Sequence, residues 1–234
     1  MVAATALVAS MSGCSKAPDA AAAAPARDPG TVVMLTTLAL QPYTYLDKET
    51  GEMCGIDIDI VRAATEKLGL KLVVKQIDFE DMLLAVKNGE ADVAACGLTI
   101  TEGRSRSVDF SIPYALEGSA FLYRKGGKVP TMITIETMSI AVVESMTQDF
   151  YLARHGIDPV RFKSIDEAIS ALVAEKVDAV AYDRPAIKMI ADESNGLLEI
   201  TPLETREKYG IAVNKSKPEL LAAVNEVIRE RLSK

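Results

Sequence analysis

The chain has no tryptophan, one histidine and three cysteines, and these shortages close several routes to function. His155 and the cysteines Cys14, Cys54 and Cys96, with no Cys-x-x-Cys spacing among them, are too few for a zinc site. His155 stands before a glycine in a polar stretch and reads as a surface residue, with no nucleophile–base pair to assemble around it. Basic residues are outnumbered 26 to 33, giving a net charge of −7 and a pI near 4.9, and the charges are interspersed. Phosphate neutralisation needs clustered Lys and Arg, so no nucleic-acid partner is expected. No apolar run reaches the roughly 20 residues that span a bilayer. What remains is ordinary soluble composition, 49% hydrophobic and 25% charged, in 234 residues that can bury a sizeable core in one or two domains.

The first thirty residues form a region of their own. Residues 2–13 (VAATALVASMSG) are small and apolar, as in the hydrophobic and cleavage part of a secretory signal. Met11-Ser12-Gly13-Cys14 resembles a bacterial lipobox, which implies that Cys14 is diacylated and anchors the chain. Ser15–Gly30, rich in Ala, Pro and Asp, then serves as a flexible tether, too poor in large apolar residues to pack. The expectation is a periplasmic or cell-surface protein that meets the membrane only through its lipid.

From residue 31 strand and helix signals alternate. Val32–Thr37 and Leu70–Gln76 are β-branched apolar runs that predict strands, and Asp92–Ala95 a short buried one. Asp57–Leu68 carries apolar residues at helical spacing and is followed by Gly69, suited to the left-handed position after a helix. Phe79–Asn88 predicts a second helix stopped by Gly89, and Gln41–Gly51 a turn or short hairpin. Strands separated by helices of this length predict parallel pairing in an α/β fold.

A weak internal repeat sharpens the expectation. Met82–Gly97 (MLLAVKNGEADVAACG) superposes on Ala168–Asp183 (AISALVAEKVDAVAYD), so two similar lobes each carry a strand ending at one place, Gly97 or Asp183. Ligands of open α/β sheets sit outside the carboxyl ends of strands. Gly97 admits close approach to the backbone, and Asp183 offers a carboxylate to a cation. Helix starts follow both, with Thr101 at a cap position before Arg104 and Pro185 in a first turn. A fixed cation, a fixed anion and backbone donors facing one gap suit a zwitterion.

The segment Gly55–Tyr114 strongly resembles family 3 extracellular solute-binding proteins, the polar amino-acid receptors of bacterial ABC importers, and the likeness continues from Thr31 to Val213. It implies two Rossmann-like α/β lobes joined by a two-strand hinge, the type II periplasmic-binding-protein architecture. Lobe 1 would comprise residues 31–117 and 209–234, and lobe 2 residues 118–208. The resemblance assigns Arg104 to the ligand α-carboxylate, with Thr99 adding an amide and a hydroxyl. It gives the ligand ammonium to the Gly97 carbonyl and the Asp183 carboxylate. Thr147, at a helix start, supplies a further amide and hydroxyl, although Ser145 and Met146 replace the family's usual Gly and Thr or Ser.

Thr37 and Leu40 stand where many relatives place an Asp and an aromatic, which disfavours a cationic ligand. The remaining wall is Leu40, Phe79, Met82, Met146 and Cys96, with Phe79 and Met82 equally readable as core. A neutral free amino acid is therefore expected, with Glu117 and Glu144 able to change this if they face the cleft. Cys54 and Cys96 could pair in an oxidising compartment, which the sequence alone does not decide, and two buried free thiols are the favoured reading. The implied protein is a monomer without metal or cofactor, no enzyme, that hands its ligand to an ABC permease. The alternatives are a cyclohexadienyl dehydratase-like enzyme, which would favour a Glu at the position of Asp183, and an extracytoplasmic sensor module.

Overall fold

The computed structural model describes residues 28–202 and 204–233; the signal, Cys14 and most of the tether lie outside them. The elements run in chain order β1 (Thr31–Thr36), β2 (Ala39–Leu40), β3 (Thr44–Leu46), β4 (Met53–Cys54), α1 (Ile56–Lys67), β5 (Lys71–Gln76), α2 (Phe79–Lys87) and β6 (Val93–Ala94). There follow α3 (Glu102–Ser105), β7 (Asp109–Phe110), β8 (Ala115–Glu117), β9 (Ser119–Arg124), β10 (Ile140–Val143), α4 (Thr147–Arg154), β11 (Val160–Phe162) and α5 (Ile165–Val173). The last are β12 (Ala179–Asp183), α6 (Arg184–Glu193), β13 (Leu198–Ile200), β14 (Glu207–Tyr209), β15 (Ala212–Val213) and α7 (Pro218–Leu232).

Local chemistry accounts for the boundaries. α1 turns Ile58, Val61 and Ala64 inward, and it stops where Gly69 takes φ 66° and the Leu70 amide reaches back to the Thr65 carbonyl at 2.9 Å. Its last turn meets α7, where Lys67 Nζ lies 2.7 Å from both Glu226 and Glu230. α2 ends before Gly89, also at positive φ.

Two five-stranded sheets carry these elements, in the orders β5-β1-β6-β15-β7 and β11-β10-β12-β9-β13. Their patterns correspond strand for strand, with β6 and β12, the strands of the internal repeat, at the centre of each. Pairing is mixed rather than wholly parallel. β1 is parallel to β5 and β6, and β10 to β11 and β12, but β15 and β9 run against their neighbours. The reason is where each reversed strand starts. β9 follows β8 and β15 follows β14, and these two short strands pair antiparallel as the two crossings between the sheets. A strand entering from the crossing runs away from it, whereas strands arriving after a helix run towards it. Each sheet is packed on both faces, the first by the clusters around Ile58, Val224 and Ile228 and around Met82, Val86 and Leu98. The second lies between clusters around Leu172, Val180 and Ile187 and around Phe121, Ile140 and Leu152.

Candidate ligand-binding site

The strand ends converge where β6 and β12 meet the crossing. Thr37, Leu40, Phe79, Cys96, Gly97, Thr99 and Arg104 from the first lobe face Met146, Thr147, Tyr182 and Asp183 from the second. The free space among them is about 20 Å³, room for a water and not for an amino acid. Admission of a larger ligand therefore requires the two walls to part.

Arg104 is fixed by α3. Thr101 caps this turn, its Oγ1 accepting from the Arg104 amide at 3.2 Å, and Arg104 Nη1 donates to the Thr99 carbonyl at 3.0 Å. The guanidinium lies over the Phe79 ring, 5.2 Å from its centroid. Burial holds Arg104 below the usual arginine value, opposed by the acidic groups of Cys96, Asp183 and Glu207. Its remaining N–H groups are free in type to hold a carboxylate in parallel.

Gly97 takes φ 66°, and a Cβ there would stand 2.2 Å from Leu40 Cδ2 and 3.0 Å from the Tyr209 ring. Only glycine meets both conditions. Its amide donates to Asp57 Oδ2 at 2.8 Å, and Tyr114 donates its hydroxyl to the other oxygen. Asp57 is fully buried, and that burial pushes its carboxyl up to about 7 against these two bonds.

Asp183 ends β12 and is followed by α6 with Pro185 in its first turn, and its side chain makes no capping bond. It accepts instead from Gln148 Nε2 at 2.9 Å. The side chain still touches the cleft, but protein surrounds the carboxyl. Burial first, and the Glu207 carboxylate second, push it up to about 7, with Gln148 and Arg104 acting the other way.

On the opposite wall Ser145 adopts φ 65°, a left-handed conformation that costs a residue with a Cβ some strain. Thr147 opens α4, with Met146 before it as the capping residue. Cys96 lines the cleft with its thiol pushed up to about 12 by burial and by Asp57. Cys54 and Cys96 are both free thiols, Cys54 half-buried and Cys96 buried.

One expectation needs adjusting, and Glu117 and Glu144 are not among the residues that line the cleft. Met82 does not line the cleft: it is fully buried beneath it, on the apolar side of α2, with its sulfur 3.9 Å from Cys96 Sγ. Glu117 accepts from the Tyr43 hydroxyl at 2.7 Å within the crossing. Glu144 borders a separate space of about 370 Å³ with Asp78, Phe79, Glu80 and Lys163. Glu207, which sequence reasoning passed over, lies at the heart of the arrangement, bonded to Thr99 and Thr147 from both walls. A groove of about 560 Å³ lined by Val173, Ile190 and Leu197 lies at the far end of β9 from the cleft. Among the described residues no group of three His, Cys, Asp or Glu side chains is placed to hold a metal ion, and no helix is long and apolar enough to cross a membrane.

Two lobes of like topology, two crossing strands and a polar cleft between strand ends define a type II periplasmic-binding-protein fold. Residues 32–233 match the model of bacterial extracellular solute-binding proteins, family 3, and the chain belongs to that family. It is 31% identical over 218 residues to a "Probable histidine-binding protein" of Neisseria gonorrhoeae, covering 89% of this chain and 81% of that one. The arginine-bound form of truncated ArgBP from T. maritima superposes with a TM-score of 0.79 at 29% identity, over 86% of this chain and 96% of that one. An ancestral amino-acid-binding protein described as a precursor of cyclohexadienyl dehydratase also matches, with a TM-score of 0.77 at 26% identity, over 88% of this chain and 91% of that one.

Proposed function

We propose that this protein is an extracytoplasmic receptor that closes its lobes, residues 31–117 with 209–234 and residues 118–208, around a free amino acid and delivers it to an ABC permease. The observation that carries the reading is Arg104 and Asp183 on opposite walls of one cleft, a cation for the α-carboxylate and an anion for the ammonium. Thr99, Gly97 and Thr147 add polar groups between them. Ala39, Leu40, Phe79, Cys96 and Met146 make the rest of the lining mostly apolar, which favours a neutral side chain. The name of the N. gonorrhoeae relative, histidine-binding, and the arginine in the T. maritima structure support an amino acid as the class of ligand. The protein works as a monomer at the periplasmic or cell surface, held by lipid on Cys14. A thermal-shift screen against the twenty amino acids tests this, because a ligand that binds only the folded form raises Tm by mass action. No shift with any of them refutes it.

A second reading, a dehydratase of the cyclohexadienyl type, is favoured by Asp183, a cleft acid pushed up to about 7 and so able to give a proton to a leaving hydroxyl, and by the ancestral precursor above. Asp is shorter than the Glu such chemistry favours. Product formed from prephenate or arogenate would establish the enzyme; none is expected.

A further inference from the structure

A second space adjoins the cleft between the lobes. It measures about 370 Å³, with Asp78, Phe79 and Glu80 on the first-lobe side and Glu144, Lys163 and Ser164 on the other. Phe79 lines both spaces, so they are neighbours across one side chain. Local structure leaves the charges here unpaired. Asp78 stands before α2 and makes no capping bond. Lys163 precedes Ser164, which caps α5 by accepting from the Glu167 amide at 3.3 Å. Among the described residues the side chains of Asp78, Glu80, Glu144 and Lys163 form no ion pair or hydrogen bond. Three anions and one cation, drawn from both lobes, thus border one space without protein partners.

We propose that the ligand of the receptor reading above, on which this inference rests, is a diamino dicarboxylic acid. Such a molecule has two amino-acid heads joined by a short chain. One head lies between Arg104 and Asp183, and the other occupies the second space. The chain between them runs past Phe79 along the apolar wall of Leu40 and Met146. The far ammonium meets the carboxylates of Asp78, Glu80 and Glu144. The far carboxylate meets Lys163 and the electropositive start of α5.

The signs of the charges select this class. An aliphatic end would displace water from four charged groups and give them nothing in return. A lone cationic end would suit the acids but bring Lys163 against a like charge. A lone anionic end would suit Lys163 and oppose three carboxylates. A zwitterionic end meets both signs. The whole ligand then carries no net charge, in keeping with the mostly apolar wall of the first space. The far head also touches both lobes, as the near head does, so it favours the closed form over either lobe alone.

Calorimetry on the full protein compares L-cystathionine and meso-2,6-diaminopimelate, which have two heads, with L-methionine, which has one, and L-arginine, which ends in a cation. At least one two-headed probe should bind about tenfold tighter than L-methionine and L-arginine. Lys163→Gln and Glu80→Gln change exposed charges, so the fold should survive, and each should lower this ratio by about threefold or more. L-methionine bound at least as tightly as both two-headed probes overturns the inference and leaves the receptor reading standing, as does tighter binding of L-arginine. A ratio unchanged in both variants places the far head elsewhere and overturns it as well. Binding of none of the four probes and none of the twenty amino acids overturns the receptor reading, and this inference with it.

Discussion

Gly97 and Gly69 have the same backbone angle, φ 66°, but different surroundings, and alanine at each separates two costs. At Gly69 an added Cβ meets nothing within 4 Å, so Gly69→Ala pays only for the left-handed conformation, about 1–2 kcal/mol. At Gly97 the same term applies, and the Cβ also lands 2.2 Å from Leu40 Cδ2 and 3.0 Å from the Tyr209 ring. Leu40 is 4% exposed and Tyr209 fully buried, so neither can swing out, and overpacking of this kind adds about 1–3 kcal/mol. Gly97→Ala should therefore cost about 2–5 kcal/mol. For a chain of this size each kcal/mol lowers Tm by roughly 2–4 °C, so scanning calorimetry resolves the two variants. Adding Leu40→Ala to Gly97→Ala should recover part of the clash, making the double variant less unstable than the sum of the singles by about 1–3 kcal/mol. Equal Tm losses at the two glycines, with simple additivity towards Leu40→Ala, would refute the close-contact argument.

Other outcomes follow from the same geometry. Arg104→Ala and Asp183→Ala each leave one desolvated charge of the ligand unpaired and should weaken binding by about 2–5 kcal/mol with folding largely intact; wild-type affinity by calorimetry in either variant removes its assigned role. Asp57 titrates near 7 when folded against about 3.9 unfolded, so the folded state holds the extra proton between these values. Its contribution is full below pH 4 and is lost as pH rises through 7, and Asp57→Asn should flatten this part of the Tm–pH curve; an unchanged slope contradicts it. Ser145→Gly relieves a positive φ and should raise stability by up to about 1 kcal/mol in urea titration, where a loss would mean the hydroxyl matters more than the strain. Cys96, buried with its thiol pushed up to about 12, should resist alkylation at pH 8 until the protein is unfolded, and fast native labelling, read by mass spectrometry, would show that the cleft opens widely.

What could be read from the sequence was local. Gly69 and Gly89 ended helices, Thr101 capped the turn before Arg104, and Pro185 lay in the first turn of α6 after Asp183, because each effect acts within a few residues. The repeat across Met82–Gly97 and Ala168–Asp183 picked out one strand in each lobe, β6 and β12, because burial on two faces leaves an apolar signature; that each is central in its sheet came from the structure. Strand direction did not follow, because β9 and β15 owe their reversal to the crossing that precedes them and not to their own residues. Met82 was ambiguous for a related reason: the inner face of α2 and the cleft wall call for the same apolar side chain.

Glu207 is the strongest case of what sequence conceals. A single acidic residue on a three-residue strand, between Arg206 and Lys208, reads as an exposed charge in a polar stretch. Its burial depends on partners 108, 88 and 60 positions away at Thr99, Ser119 and Thr147, which only the folded chain assembles. A carboxylate desolvated to this degree is tolerated because four hydroxyls replace the water it lost. Two of these bonds tie Thr99 of one lobe to Thr147 of the other through one residue of the crossing strand. Parting the cleft must therefore break at least one of the two bonds, so lobe opening and the orientation of these hydroxyls are coupled through Glu207.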